Sequence, residues 1–135
     1  MATLMEMERE TPAKAPASMG LMLESATPNG YRLRYRSGAG ICGTGETIYQ
    51  FEVLHSLSSV TCGVRLPAYV KELVRAETGR EHLPAGGRFW EAMCEEALSN
   101  YLFRNDRLPD DDTLRVVDLT PDLLRWVNAV IEALS

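Results

Sequence analysis

The chain is poor in the side chains that carry most metal and acid–base chemistry, with two histidines and three cysteines. Cys42, Cys62 and Cys94 are widely spaced, and neither a CxxC pair nor an HxxxH partner accompanies them. The ligand spacing of a structural zinc site is therefore missing, and no metal site or cofactor is expected. Three unpaired cysteines read as free thiols, and a buried thiol packs like a small apolar group. Long apolar runs are also absent. Nothing approaches the roughly 18–20 consecutive apolar residues of a membrane-spanning helix. The first residues carry Glu6, Glu8 and Glu10 where a secretory leader has basic residues and an apolar run. The expectation is a soluble, cytoplasmic protein with no membrane partner. Lysine is nearly missing: Lys14 and Lys71 stand against twelve arginines, spread along the chain.

What is present fits one folded domain. The 135 residues are 45% hydrophobic and 24% charged, with a net charge of −5. That length buries one core without disulfides. A negative balance argues against wrapping nucleic acid with the whole surface, because phosphate binding runs on clustered cations. Residues 1–18 show neither helical nor strand periodicity, and Pro12 and Pro16 interrupt them. They are expected to form a flexible tail before a single domain over 19–135.

The strongest turn signal is Thr27-Pro28-Asn29-Gly30, which suits a three-residue hairpin loop closed by a glycine bulge. Setting Thr27 opposite Tyr31 puts Ser25 opposite Leu33 and Leu23 opposite Tyr35. Leu21, Leu23, Leu33 and Tyr35 then share one face, and Arg32, Arg34 and Arg36 the other. A glycine-rich loop over 37–47 follows. Tyr49, Phe51, Val53 and His55 alternate with polar residues, as do Val60, Cys62, Val64 and Leu66. A loop over Ser56–Ser59 pairs His55 with Val60, Val53 with Cys62, Phe51 with Val64 and Tyr49 with Leu66.

Beyond Pro67 the period changes from two to between three and four. Val70, Leu73 and Val74 mark a helix that Gly79 can close. Arg88 to Arg104 carries Phe89, Trp90, Met93, Cys94, Ala97, Leu98, Tyr101 and Leu102 on one side, with Glu91, Glu95, Ser99 and Asn100 opposite. Leu114 to Val117 reads as a short strand that can join either sheet edge. Thr120 and Pro121 begin a last helix presenting Leu123, Leu124, Val127, Val130, Ile131 and Leu134. The order ββββααβα describes an α+β fold, an antiparallel four- to five-stranded sheet with helices packed on one face.

Gly38-Ala39-Gly40-Ile41-Cys42-Gly43 spells GxGxxG, but a strand follows where dinucleotide binding needs a helix. Its glycines read first as a connection between hairpins. As a candidate ligand loop, Gly38, Gly40, Gly43 and Gly45 would cover a pocket, and the protein would be a small enzyme. Arg32, Arg34 and Arg36 are candidate anion-binding residues for an acidic ligand or a nucleic acid. The plainer reading is a solvated face with cross-strand Arg–Glu pairs to Glu52. No tyrosine interleaves with these arginines on their own face, which weakens the nucleic-acid case. A Cys–His catalytic pair is improbable, because His55 and Cys62 fall on the core face. Asp106, Asp110, Asp111 and Asp112 share a loop without the calcium-loop pattern. Trp126 lies on the shoulder of the last helix with Ala129 and Ala133, a candidate interface for self-association or an unknown protein partner. No convergent catalytic set is visible. The expectation is a non-enzymatic protein-interaction module, homodimeric in one version, with the arginine surface and the small enzyme as rivals.

Overall fold

The structure is a computed structural model, and it describes residues 24–41 and 45–134. The expected tail and the partners Leu21 and Leu23 lie outside the described residues, as do Cys42 and Gly43. Five strands form one sheet in sequential order: β1 Glu24–Ala26, β2 Arg32–Ile41, β3 Thr47–His55, β4 Ser58–Leu66 and β5 Thr113–Arg115. Three helices, α1 Ala68–Thr78, α2 Gly87–Asn105 and α3 Pro121–Leu134, complete the α+β fold. None of the described helices is long and apolar enough to cross a membrane.

The first hairpin takes the register its turn dictates, with Ser25 opposite Leu33 and Ala26 opposite Arg32. Thr27 N–H donates to the Tyr31 carbonyl at 2.8 Å, and Gly30 N–H to the Thr27 carbonyl at 3.1 Å. Gly30 has φ +98°, a conformation that side-chain-bearing residues rarely adopt.

The second hairpin corrects the expected register. His55 pairs with Ser58, Val53 with Val60, Phe51 with Cys62 and Tyr49 with Val64. The loop is the two residues Ser56 and Leu57, with positive φ at Ser56, not the four residues Ser56–Ser59. Two-residue turns match strand twist better than longer loops do. The slip is by two residues. Side-chain direction repeats every two residues, so each residue keeps its face. That is why the core composition survives the wrong register.

The glycine-rich segment is also corrected. Gly38 and Gly40 belong to β2, which runs on to Ile41 opposite Thr47. Register shifts between Tyr35 and Ser37 and between Ser37 and Gly40 absorb two extra residues as bulges, a common role for strand glycines. The expected loop thus narrows to the link between Ile41 and Thr47.

The fifth strand joins β4, in parallel, with Val64 opposite Leu114 and Arg65 opposite Arg115. A parallel neighbour needs a long crossover, and α1 and α2 supply it. One sheet face carries the core: Leu33, Phe51, Val53, Cys62, Val64 and Leu66 are at most 2% exposed. Val70, Val74, Phe89, Met93, Leu98, Leu102, Val127 and Val130 bury against them from the helices. Each full burial of such a side chain contributes about 1.5–3 kcal/mol.

Helix ends follow local chemistry. Gly79 closes α1 in the left-handed conformation. Thr120 Oγ1 accepts from Leu123 N–H at 3.3 Å, capping α3 ahead of Pro121. Two helical assignments change. Leu73 is 39% exposed, since it sits at the margin of the Val70–Val74 stripe. Glu95, expected on the polar side of α2, is buried. Helix α2 is covered by the sheet and α3, and Lys71 and Arg75 of α1 lie over its Trp90 ring. Burial therefore runs through consecutive residues, from Ala92 to Glu95.

Candidate interaction surface

The side chains opposite the core build the site. Along β2 to β5, the alternation that turns Leu33, Val53, Val64 and Leu66 inward turns Arg32, Arg34, Glu52 and Arg65 outward. The buried side chains of the helices join the core on the opposite face of the sheet.

Its charges fall into two clusters. In the first, Arg34 stands directly opposite Glu52 in the ladder, with Nη1 3.4 Å from Oε1. Arg36 Nη1 lies 3.7 Å from the same oxygen, and Ser59 Oγ donates to Oε2 at 2.7 Å. The Ser59 hydroxyl and the two guanidiniums hold the Glu52 carboxyl below its usual range against the opposing effect of burial. The cross-strand pairing expected for the arginine stripe is thus present. Arg32 has no ion pair among the described residues, and Glu24 stands opposite Arg34 at the neighbouring edge.

The second cluster has no counterpart in the sequence reading. Glu46, just before β3, is 6% exposed. Arg115 Nε donates to its Oε2 at 2.7 Å. Arg65 Nε stands 2.9 Å from Oε1, a charge contact off hydrogen-bond alignment. The Arg115 hydrogen bond is the main reason the Glu46 carboxyl lies low, and burial opposes it. Tyr69 on α1 donates its hydroxyl to the Val117 carbonyl at 2.8 Å, fastening the end of β5 beside the cluster. Residues 46, 65 and 115 are far apart in sequence and share no motif, so only the alternation at Arg65 hinted at its outward direction.

Between the clusters, uncharged Ile48, Gln50 and Gly63 meet. Gly63 has the Ile48 and Gln50 side chains within about 3.7 Å of where a Cβ would sit. Strands β2 and β4 are two spacings apart, about 10 Å. Two groups of paired arginines thus flank this uncharged stretch, each group sharing one carboxylate.

The remaining candidates fall elsewhere. Trp126 is half-buried, its ring 5.5 Å from that of Phe89, while Ala129 and Ala133 are exposed. Gly45 has φ +85° and open space around it. His55 stacks on Tyr31 at 4.1 Å, with planes 15° apart. Cys62 and Cys94 are buried free thiols. Burial pushes Cys62 up to about 11 and Cys94 higher still, so both stay protonated near neutrality. Asp106 takes the left-handed conformation that ends α2. Among the described residues, no group of three or more His, Cys, Asp or Glu is placed to hold a metal ion.

A cleft of about 220 Å³ lies at the far edge of the sheet, between β5, the second half of α2 and the start of α3. Sequence reading missed it, because its walls come from three separated segments. No family model, no curated protein and no solved structure matches the chain.

Proposed function

We propose that this protein is a non-catalytic interaction module that docks an acidic protein segment on the outer face of its sheet. One observation carries the reading: four arginines on that face share the carboxylates Glu46 and Glu52, and Arg32 adds a fifth without an ion pair among the described residues. A carboxylate that bridges two guanidiniums leaves donors unused, and guanidinium forks match incoming carboxylates. A local cationic face on a chain of net charge −5 selects partners by charge and by orientation.

A single-stranded nucleic acid would meet the same cations, but stacking its bases calls for aromatic rings on the face. Tyr31, Tyr49 and Phe51 are buried in the core instead. Catalysis by a thiolate would need a cysteine that ionises, and burial works against that at Cys62 and Cys94.

The test is titration with poly-glutamate at low and moderate salt. Binding should weaken as salt rises and fall at least about tenfold in Arg32→Glu. Tighter binding of a single-stranded oligonucleotide than of poly-glutamate transfers the reading to nucleic acid. Absence of both at low salt rejects the face as a docking surface.

Self-association through α3 is a second reading, favoured by the exposure of Ala129 and Ala133 beside Trp126. It requires concentration-dependent sedimentation that Ala129→Glu abolishes.

A further inference from the structure

We propose that the open edge of β5 and the cleft beside it bind an extended, uncharged stretch of polypeptide as an added strand, with one aliphatic side chain in the cleft. The arginine face is not needed for this, and either site can stand without the other.

Strand β5 ends the sheet, so one side of its backbone has no strand partner among the described residues. Val116 N–H donates to the Arg65 carbonyl at 2.9 Å, which turns the Val116 backbone toward β4. By the two-residue alternation, Arg115 directs its N–H and C=O the opposite way, into the open. The cleft follows this side. Five consecutive residues, Leu114 through Asp118, form one of its walls. Leu114 and Arg115 belong to β5 and the other three continue the chain beyond it, where Tyr69 already donates to the Val117 carbonyl, so the open backbone groups are those of β5 itself.

The facing wall belongs to α2. Ala97 with Leu114 and Leu123 gives an apolar floor, and Asn100 and Tyr101 stand among the polar groups above it. The Asn100 carboxamide and the Tyr101 phenol are bonded to no described residue. A carboxamide carries the same donor and acceptor as a peptide group, so Asn100 can bond a strand laid beside β5. The charges around the cleft are already matched, Arg104 by Asp122 and Arg115 by Glu46. Asp118 accepts from Leu119 N–H at 2.8 Å. An uncharged occupant leaves those pairs intact. The volume, about 220 Å³, is below the roughly 300–1,000 Å³ of small-molecule sites and suits one side chain. With three residues in β5, ladder bonds are few, and the side chain in the cleft supplies the selectivity.

The test uses the full chain, labelled with ¹⁵N, and the capped pentapeptide threonine–threonine–leucine–threonine–threonine. The expected result is movement of the Arg115 backbone amide and the Asn100 side-chain amide. Exchanging the central leucine for glutamate, or N-methylating the residues beside it, should weaken binding at least about tenfold. Ala97→Leu fills the floor and should do the same, as should Asn100→Ala at the rim. Poly-glutamate binding should be unchanged in both variants, which separates this site from the arginine face. Signals unmoved at about 10 mM peptide overturn the proposal. So does an N-methylated peptide that binds as tightly as its parent.

Discussion

Asn29, at the tip of the first hairpin turn, donates its carboxamide to the carbonyl of Leu102 at 3.0 Å, across 73 residues of sequence. The same carbonyl accepts the Asp106 N–H at 2.9 Å, so the turn residue adds a second bond to the acceptor that closes the last turn of α2. The Asn29 nitrogen lies 3.2 Å from Asp106 Oδ1, where α2 ends. The turn that sets the first register therefore also fixes where α2 stops against the sheet. Asn29→Ala keeps the turn residues around it but removes the bond. It should lower unfolding stability by about 1–2 kcal/mol, read as a fall in the urea midpoint with little change in slope.

Glu46 makes stability depend on acid. Its folded carboxyl lies below the ordinary value of 4.5, chiefly through the Arg115 hydrogen bond. A carboxyl lowered by folding stabilises fully above its unfolded value, and that contribution is lost as pH falls through the folded value. Wild type should therefore lose stability below about pH 4.5 faster than Glu46→Gln does. Urea midpoints measured from pH 7 down to pH 3 check this. Parallel acid limbs would mean that Glu46 is not the group responsible.

The two described thiols should be slow to react. Cys62 is pushed to about 11 and Cys94 higher, each mainly by burial. Iodoacetamide at pH 8, followed by peptide mass mapping, should leave both unmodified in the native protein. Unfolding in urea should make both react at the rate of a free cysteine.

Ser56 occupies the first position of a two-residue turn at φ 55°, where a side chain crowds its own backbone. Ser56→Gly should raise stability by about 1 kcal/mol, a gain visible in the thermal midpoint. Leu57 beside it is fully exposed, so Leu57→Asn should leave the midpoint unchanged.

Trp126 tests whether its shoulder serves the core. With its ring against Phe89, Trp126→Ala should lower stability by about 2 kcal/mol, less than for a fully buried tryptophan. Calorimetry reads the loss. An unchanged midpoint would free the ring for an interface.

The sequence by itself determined the order of the elements and the faces of the paired strands. Turn chemistry at Thr27–Gly30 set one register because the φ demands of Pro28, Asn29 and Gly30 are local. Alternation placed Arg32 and Arg34 outward because side-chain direction along a strand repeats every two residues. Tertiary structure decided what depends on distant partners. The second hairpin moved by two residues because either register keeps the same face inward, so hydrophobic pattern does not distinguish them. Glu95 became buried because its surroundings are set by other elements packed on α2, not by its own helix. Strand β5 is too short for its pattern to choose an edge, and its place beside β4 brought Arg115 to Glu46. That contact, and the cleft along the other side of β5, exist only once segments far apart in the chain have met.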